Sequence, residues 1–87
     1  MNKREQLVDM GFEDTILFEN PNYESALIGY DVVSGKAIYS YNLMIEHLMT
    51  VDGMSEEEAI DMIEYNTIRA IPYMGEKSPI IFEQFNE

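Results

Sequence analysis

Ser55-Glu56-Glu57-Glu58-Ala59-Ile60-Asp61-Met62-Ile63-Glu64-Tyr65-Asn66-Thr67-Ile68-Arg69-Ala70-Ile71-Pro72 is the stretch from which the fold reads outward. Ser55 followed three residues later by Glu58 is a capping-box pattern. The hydroxyl accepts an amide N–H of the first turn, and the carboxylate reaches back to the N–H of the cap. Met54 and Ala59 flank the box as a small hydrophobic staple. Three glutamates in the first turn suit the positive end of the helix dipole, and Arg69 suits the negative end. Apolar residues continue through Ile60, Ile63 and Ile68, and Pro72 disfavours helix at Ile71. The pattern predicts a helix over residues 55–70.

On its N-terminal side, Met44, Leu48 and Val51 fall at i, i+4, i+7, with Ile45 and Met49 beside them. That is a second amphipathic helix, over residues 42–51, closed by Gly53 in the left-handed conformation. Upstream the period changes to two. Ala37, Tyr39 and Tyr41 share one face of a strand over residues 36–41, and Ala26, Ile28 and Tyr30 one face of a strand over residues 25–30. Asp31-Val32-Val33-Ser34-Gly35 joins them as a hairpin loop, and Gly29 marks a bulge or a close neighbour. Thr15-Ile16-Leu17-Phe18-Glu19 reads as another strand, closed by the turn residues Asn20-Pro21-Asn22. A short helix over residues 2–10 ends at Gly11. Residues 72–78 read as a loop and residues 79–85 as a last strand. The order is helix, three strands, two helices, one strand. It predicts a single small α+β domain over residues 1–87, with a short antiparallel sheet of three to four strands covered on one face by two to three helices.

Composition narrows what such a domain does. Five basic residues against 17 acidic ones leave a net charge of −12 in 87 residues. Direct nucleic-acid binding is excluded as a reading, because it depends on Lys and Arg neutralising phosphates. With no cysteine there is no disulfide framework, thiolate metal site or cysteine nucleophile. Leu, Ile, Val and Phe make up 23 of the 87 residues, above the roughly 20 % below which highly charged chains stay disordered. The longest apolar runs fall far short of the ~20 residues that span a bilayer. Met1-Asn2-Lys3-Arg4-Glu5-Gln6 lacks the apolar core of a signal peptide. The chain reads as cytoplasmic, with no membrane contact.

The catalytic inventory is thin. His47 is the one histidine, no Gly-x-Ser-x-Gly elbow is present, and the glycines are isolated rather than gathered into a phosphate loop. Asp52-Gly53-Met54-Ser55 does not fit a calcium loop, and one histidine cannot supply a di-iron site. The expectation is a non-enzyme with no cofactor, no metal site and no catalytic residue. Charge distribution says more. Between Arg4 and Lys36, and again between Lys36 and Arg69, seven acids stand without a Lys or Arg. Glu57, Asp61 and Glu64 lie at i, i+4, i+7, a row with no lysine to relieve it. Such a row reads either as a solvated helix face or as a surface that occupies a basic groove built for nucleic acid. On the second reading Glu56, Glu57, Asp61 and Glu64 bind the partner, with Tyr65 and Tyr73 as anchors. Six tyrosines are too many for a core this small, so some reach the surface, where interfaces favour them.

Residues 64–75, Glu64-Tyr65-Asn66-Thr67-Ile68-Arg69-Ala70-Ile71-Pro72-Tyr73-Met74-Gly75, carry a resemblance. With Phe18-Glu19-Asn20-Pro21 and Gly53-Met54-Ser55-Glu56-Glu57-Glu58-Ala59, over roughly Gly11 to Phe82, the chain resembles small acidic proteins of unassigned function from Gram-positive bacteria and their phages. The resemblance transfers no site residue. It implies a mobile-element setting, in which small acidic inhibitors of host nucleases are a common type. The expectation is therefore an acidic interaction protein, an inhibitor of the anti-CRISPR or anti-restriction type, whose partner is a basic nucleic-acid-handling protein. The alternative is a small accessory or structural domain, as a homodimer, whose charge serves solubility alone. Its working surface would be the tyrosine-bearing sheet face or the loop over residues 72–79.

Overall fold

The computed structural model describes residues 2–19 and 21–85. Helix α1, Lys3–Asp9, starts at Asn2, whose side chain accepts the Glu5 N–H. Strands β1 (Leu27–Tyr30) and β2 (Ala37–Ser40) follow, then α2 (Tyr41–Val51), α3 (Glu56–Met62) and β3 (Ile80–Phe82). The three strands form one sheet in the order β1-β2-β3. Ala37 and Tyr39 of the central strand are fully buried, whereas Ile38 and Ser40 on its other face are half-buried. The core joins these two residues to Met44 and Leu48 of α2 and Ala59 and Ile63 of α3. Phe18 packs between Tyr23 and Tyr39, with ring centroids 5.6 and 4.8 Å away. The expected α+β architecture with a short sheet is the one observed.

The sheet departs from the expectation in direction. β1 and β2 are antiparallel, but β3 joins β2 in parallel, with Ile38 opposite Ile80 and Ser40 opposite Phe82. A parallel pair needs a long crossover, usually helical. Here residues 41–79 supply it, and the last of them double back to the start of β2. Lys77 marks that return: its ammonium donates to the Ser34 carbonyl and its own carbonyl accepts from Ile16 N–H at 3.2 Å.

The strand expected at residues 15–19 does not form. Its main chain is held by scattered bonds instead of a ladder: Thr15 N–H to the Phe12 carbonyl, Ile16 N–H to the Lys77 carbonyl, and two side chains. Arg4 donates to the Thr15 carbonyl (2.7 Å), and the Phe18 N–H donates to the Tyr39 hydroxyl (3.1 Å). Of the turn expected after it, Asn20 lies outside the described residues. The strand expected from Ser25 is also shorter, because Glu24–Ala26 form a 3-10 turn. The register then shifts between Leu27 and Gly29, the bulge that Gly29 foretold. The bulge breaks the alternation: Ala26 and Leu27 are both buried, while Ile28 is 49 % exposed. Tyr41 belongs to α2 and not to β2, because Ser40 caps the helix by accepting the Leu43 N–H at 3.3 Å.

The capping box at Ser55 forms in both directions, at 3.1 and 3.2 Å. The helix it starts does not stay α-helical to residue 70. A π-turn occupies Ile63–Ile68, and Ile71–Tyr73 continue as a 3-10 turn with Pro72 in its first positions. Core residues explain the wide turn. Ala59, Ile63 and Thr67 are all buried and lie four apart. In an ideal helix each such step overshoots one turn by about 40°. A wider turn absorbs that drift and keeps all three on the core side.

Gly35 closes the hairpin at φ +76°, and a β-carbon there would stand 2.5 Å from Cδ1 of Phe12. Gly53, at φ +69°, has nothing within 4 Å. Gly35→Ala is expected to cost about 2–4 kcal/mol, combining left-handed strain and overpacking. Gly53→Ala should cost only the strain, about 1–2 kcal/mol. Urea unfolding of both variants checks this, and equal losses would show that Phe12 gives way.

Candidate functional site

The six residues singled out by charge and aromatic character are all solvent-exposed. Glu56 and Glu57 lie in the first turn of α3, beside Glu58, whose carboxyl is held below the usual range by the Ser55 N–H and hydroxyl. Asp61 follows one turn after Glu57. Glu64 and Tyr65 stand on the π-turn, so the even spacing expected of a plain α-helix holds only from Glu57 to Asp61. Tyr65 is 60 % exposed and Tyr73, in the 3-10 turn beyond, 90 %.

The structure adds an acid that sequence spacing could not place. Burial, then the nearby Glu64 and Glu83, push the Tyr41 phenol up. The π-turn, the start of α2 and the chain just past β3 therefore bring two carboxylates to one phenol. Glu83 is 19 residues from Glu64 in sequence, and only the parallel return of β3 joins them. A second group of exposed acids, Glu5, Asp9, Glu13 and Asp14, lies on α1 and the turn after it.

Where the cations go decides what these acids can do. The Lys3 ammonium donates to the carbonyls of Glu24 (2.8 Å) and Leu27 (2.6 Å). Arg4 and Lys77 likewise end on carbonyls, of Thr15 and Ser34. The Arg69 guanidinium lies 4.9 Å over the Tyr65 ring. Lys36 acts electrostatically on Asp31, after the stronger effect of hydrogen bonds from Ser34 and Val33, to lower that carboxyl. Four of five cations are thus directed at main-chain oxygen or an aromatic face.

His47 is half-buried on α2, with Nδ1 3.1 Å from Ser25 Oγ and its ring 5.7 Å from that of Tyr23. Ser25 is exposed on the short 3-10 turn. The sequence offered no reason to pair them, since they meet only through packing of that turn on α2. Among the described residues no three His, Asp or Glu side chains converge as a metal site requires. Among the described residues no helix is long and apolar enough to cross a membrane.

Two hollows stand out on the surface of the described residues. A smaller one, of about 280 Å³, lies between α1 and β1 and includes Lys3, Met10 and Ile28. The larger, about 470 Å³, lies between residues 16–19 with Pro21 and the π-turn. At its base the hydroxyls of Tyr23 and Thr67 are 2.7 Å apart. Tyr23 adopts φ +47°, the one described non-glycine residue at positive φ, a strained state for a bulky side chain. Sequence inspection passed over this cleft because its walls are remote in the chain. No protein-family model, curated protein or solved structure matches the chain.

Burial raises the Tyr23 and Tyr39 phenols, against the opposing hydrogen bonds from Thr67 and Phe18. A phenol whose pKa is higher when folded holds its proton more tightly in the folded state. That contribution is complete below about pH 10 and is lost as pH rises through the folded pKa. Stability should therefore fall in alkali above about pH 10, and Tyr23→Phe should fall less steeply than the parent. Denaturant midpoints measured across that range check the slope, and parallel profiles would refute it.

Proposed function

We propose that this chain is an acidic interaction protein that occupies the basic nucleic-acid-binding surface of a host nuclease, as an inhibitor of the anti-CRISPR or anti-restriction type. The single observation that carries the reading is the commitment of the cations. Lys3, Arg4 and Lys77 end on carbonyls and Arg69 on a ring, while Glu56, Glu57, Asp61 and Glu64 are exposed to solvent. Duplex DNA presents regularly spaced negative charge, and the proteins that hold it present Lys and Arg to meet it. A protein surface of the same sign competes for those cations and steers itself onto them. The resemblance of residues 64–75 to small acidic proteins of bacteria and phages supplies a setting of mobile-element conflict. Tyr65 and Tyr73, exposed beside the acids, would supply the apolar contact area that charge alone lacks.

A second reading, a homodimeric accessory domain with merely solubilising charge, is favoured by the exposure of Tyr73 and Phe85, 90 % and 92 %. The two separate cleanly. On the inhibitor reading, the chain retains a basic DNA-binding protein from bacterial lysate and displaces duplex DNA from it. Retention drops at least tenfold between about 50 and about 200 mM salt. It drops similarly when Glu57→Lys, Asp61→Lys and Glu64→Lys are combined. Retention indifferent to salt and charge reversal, but lost with Tyr73→Ala, would establish the second reading instead.

A further inference from the structure

The two edges of the sheet differ. An edge strand presents a row of main-chain N–H and C=O groups that invites another strand, and proteins blunt such edges with lysines, bulges or a covering helix. β1 has all three. Its register shifts before Gly29, the Lys3 ammonium sits on the Leu27 carbonyl at 2.6 Å, and α1 lines the smaller hollow together with Leu27 to Tyr30. Among the described residues β3 has none of them. Its register against β2 is regular from Ile80 to Phe82, and its main chain is hydrogen-bonded to β2 alone. Successive residues of a strand turn their main-chain groups to opposite sides, so part of β3 points donors and acceptors away from the sheet. What satisfies such groups is an extended backbone, laid down as a fourth strand.

The side chains say which strand would fit. Ile81 packs on the core side. Ile80 and Phe82 stand on the other face, beside Ile38 and Ser40, and Phe82 is 36 % exposed. Ser78-Pro79-Ile80-Ile81-Phe82 carries no charge, but both of its ends are acidic. Glu76 is exposed on the turn before the strand, and Glu83 is exposed directly after it. Glu64 joins Glu83 there, since both act on the Tyr41 phenol. Lys77, next to Glu76, is directed at the Ser34 carbonyl. A second copy of this chain would set Glu83 against Glu83 if it paired in parallel, or against the Glu76 end if antiparallel, and like charges across strands are destabilising. A basic segment gains at both ends. We propose that the free edge of β3 receives an extended segment of the protein partner, apolar at its centre and carrying Lys or Arg where it passes Glu76 and Glu83. The proposal rests on the reading above that the partner is basic, and it gives that partner a backbone conformation as well as a charge.

A short synthetic peptide of alternating Val and Thr, with two lysines at each end, tests it. It is titrated at low salt into the isotope-labelled full chain. It should slow amide hydrogen exchange within Ile80–Phe82 and leave exchange in Leu27–Tyr30 unchanged. A second peptide, N-methylated throughout its centre, keeps every charge but cannot donate from its main chain. It should bind about tenfold more weakly or worse, for want of the edge hydrogen bonds. Glu83→Lys, at an exposed position, should weaken the first peptide about fivefold. Equal affinity for the two peptides means attraction by charge alone, which overturns the strand pairing and leaves the acidic surface standing. A free chain that sediments as a dimer, with the Ile80–Phe82 amides already protected, gives the edge to a second copy and likewise overturns the proposal. Binding of neither peptide overturns the edge as a docking site, while retention of a basic protein from lysate decides separately whether the partner is basic.

Discussion

Lys3, Arg4 and Lys77 place their charges on main-chain carbonyl oxygens, and this choice of acceptor shapes the rest of the molecule. Arg4 and Lys77 bond carbonyls outside the strands, and Lys3 bonds those of Glu24 and of Leu27, the first residue of β1. Arg4 holds the segment at Thr15, Lys3 covers the start of β1, and Lys77 ties the last crossover to the hairpin end. A hydrogen bond from a charged donor is about twice as strong as a neutral one, and Arg4 supplies one such bond to the segment that forms no strand. The same bonds direct three of the chain's five cations at main-chain oxygen. Irregular structure is stabilised and the surface left unbalanced by one set of contacts.

Tyr23 and Thr67 form the other junction. They lie 44 residues apart in sequence and join the irregular segment to the π-turn through a buried hydroxyl pair. Tyr23 takes a left-handed backbone to reach that position, and the helix widens to keep Thr67 inward. Both departures from regular geometry border the same cleft. Strained backbone and π-turns recur at functional sites, where the surrounding structure holds a costly conformation in place.

Much of the architecture was legible because its signals are local. The capping box, the stripe of Met44 and Leu48, and the alternation of Ala37 with Tyr39 each concern residues within one or two turns of one another. The bulge at Gly29 was legible for the same reason. What failed was also consistent in kind. Thr15 to Glu19 has strand composition, but its backbone partners include the side chains of Arg4 and Tyr39 and the distant Lys77 carbonyl, which no local pattern announces. Ser40 reads equally as strand and as helix cap until α2 fixes it. Of the candidate site, the acids and the exposed tyrosines could be read from spacing and count. Glu83, the pairing of Ser25 with His47 and the cleft could not, since each joins distant parts of the chain.

By itself, the order of residues determined the three helix starts, the β1–β2 hairpin, the excess of carboxylates and the stretches without a base, because propensity, capping and charge are properties of neighbours. Tertiary structure alone decided that β3 runs parallel to β2, where the few cations end, and that the last helix widens to keep Thr67 in the core. Those outcomes depend on contacts between residues tens of positions apart, and such contacts exist only once the chain has closed on itself.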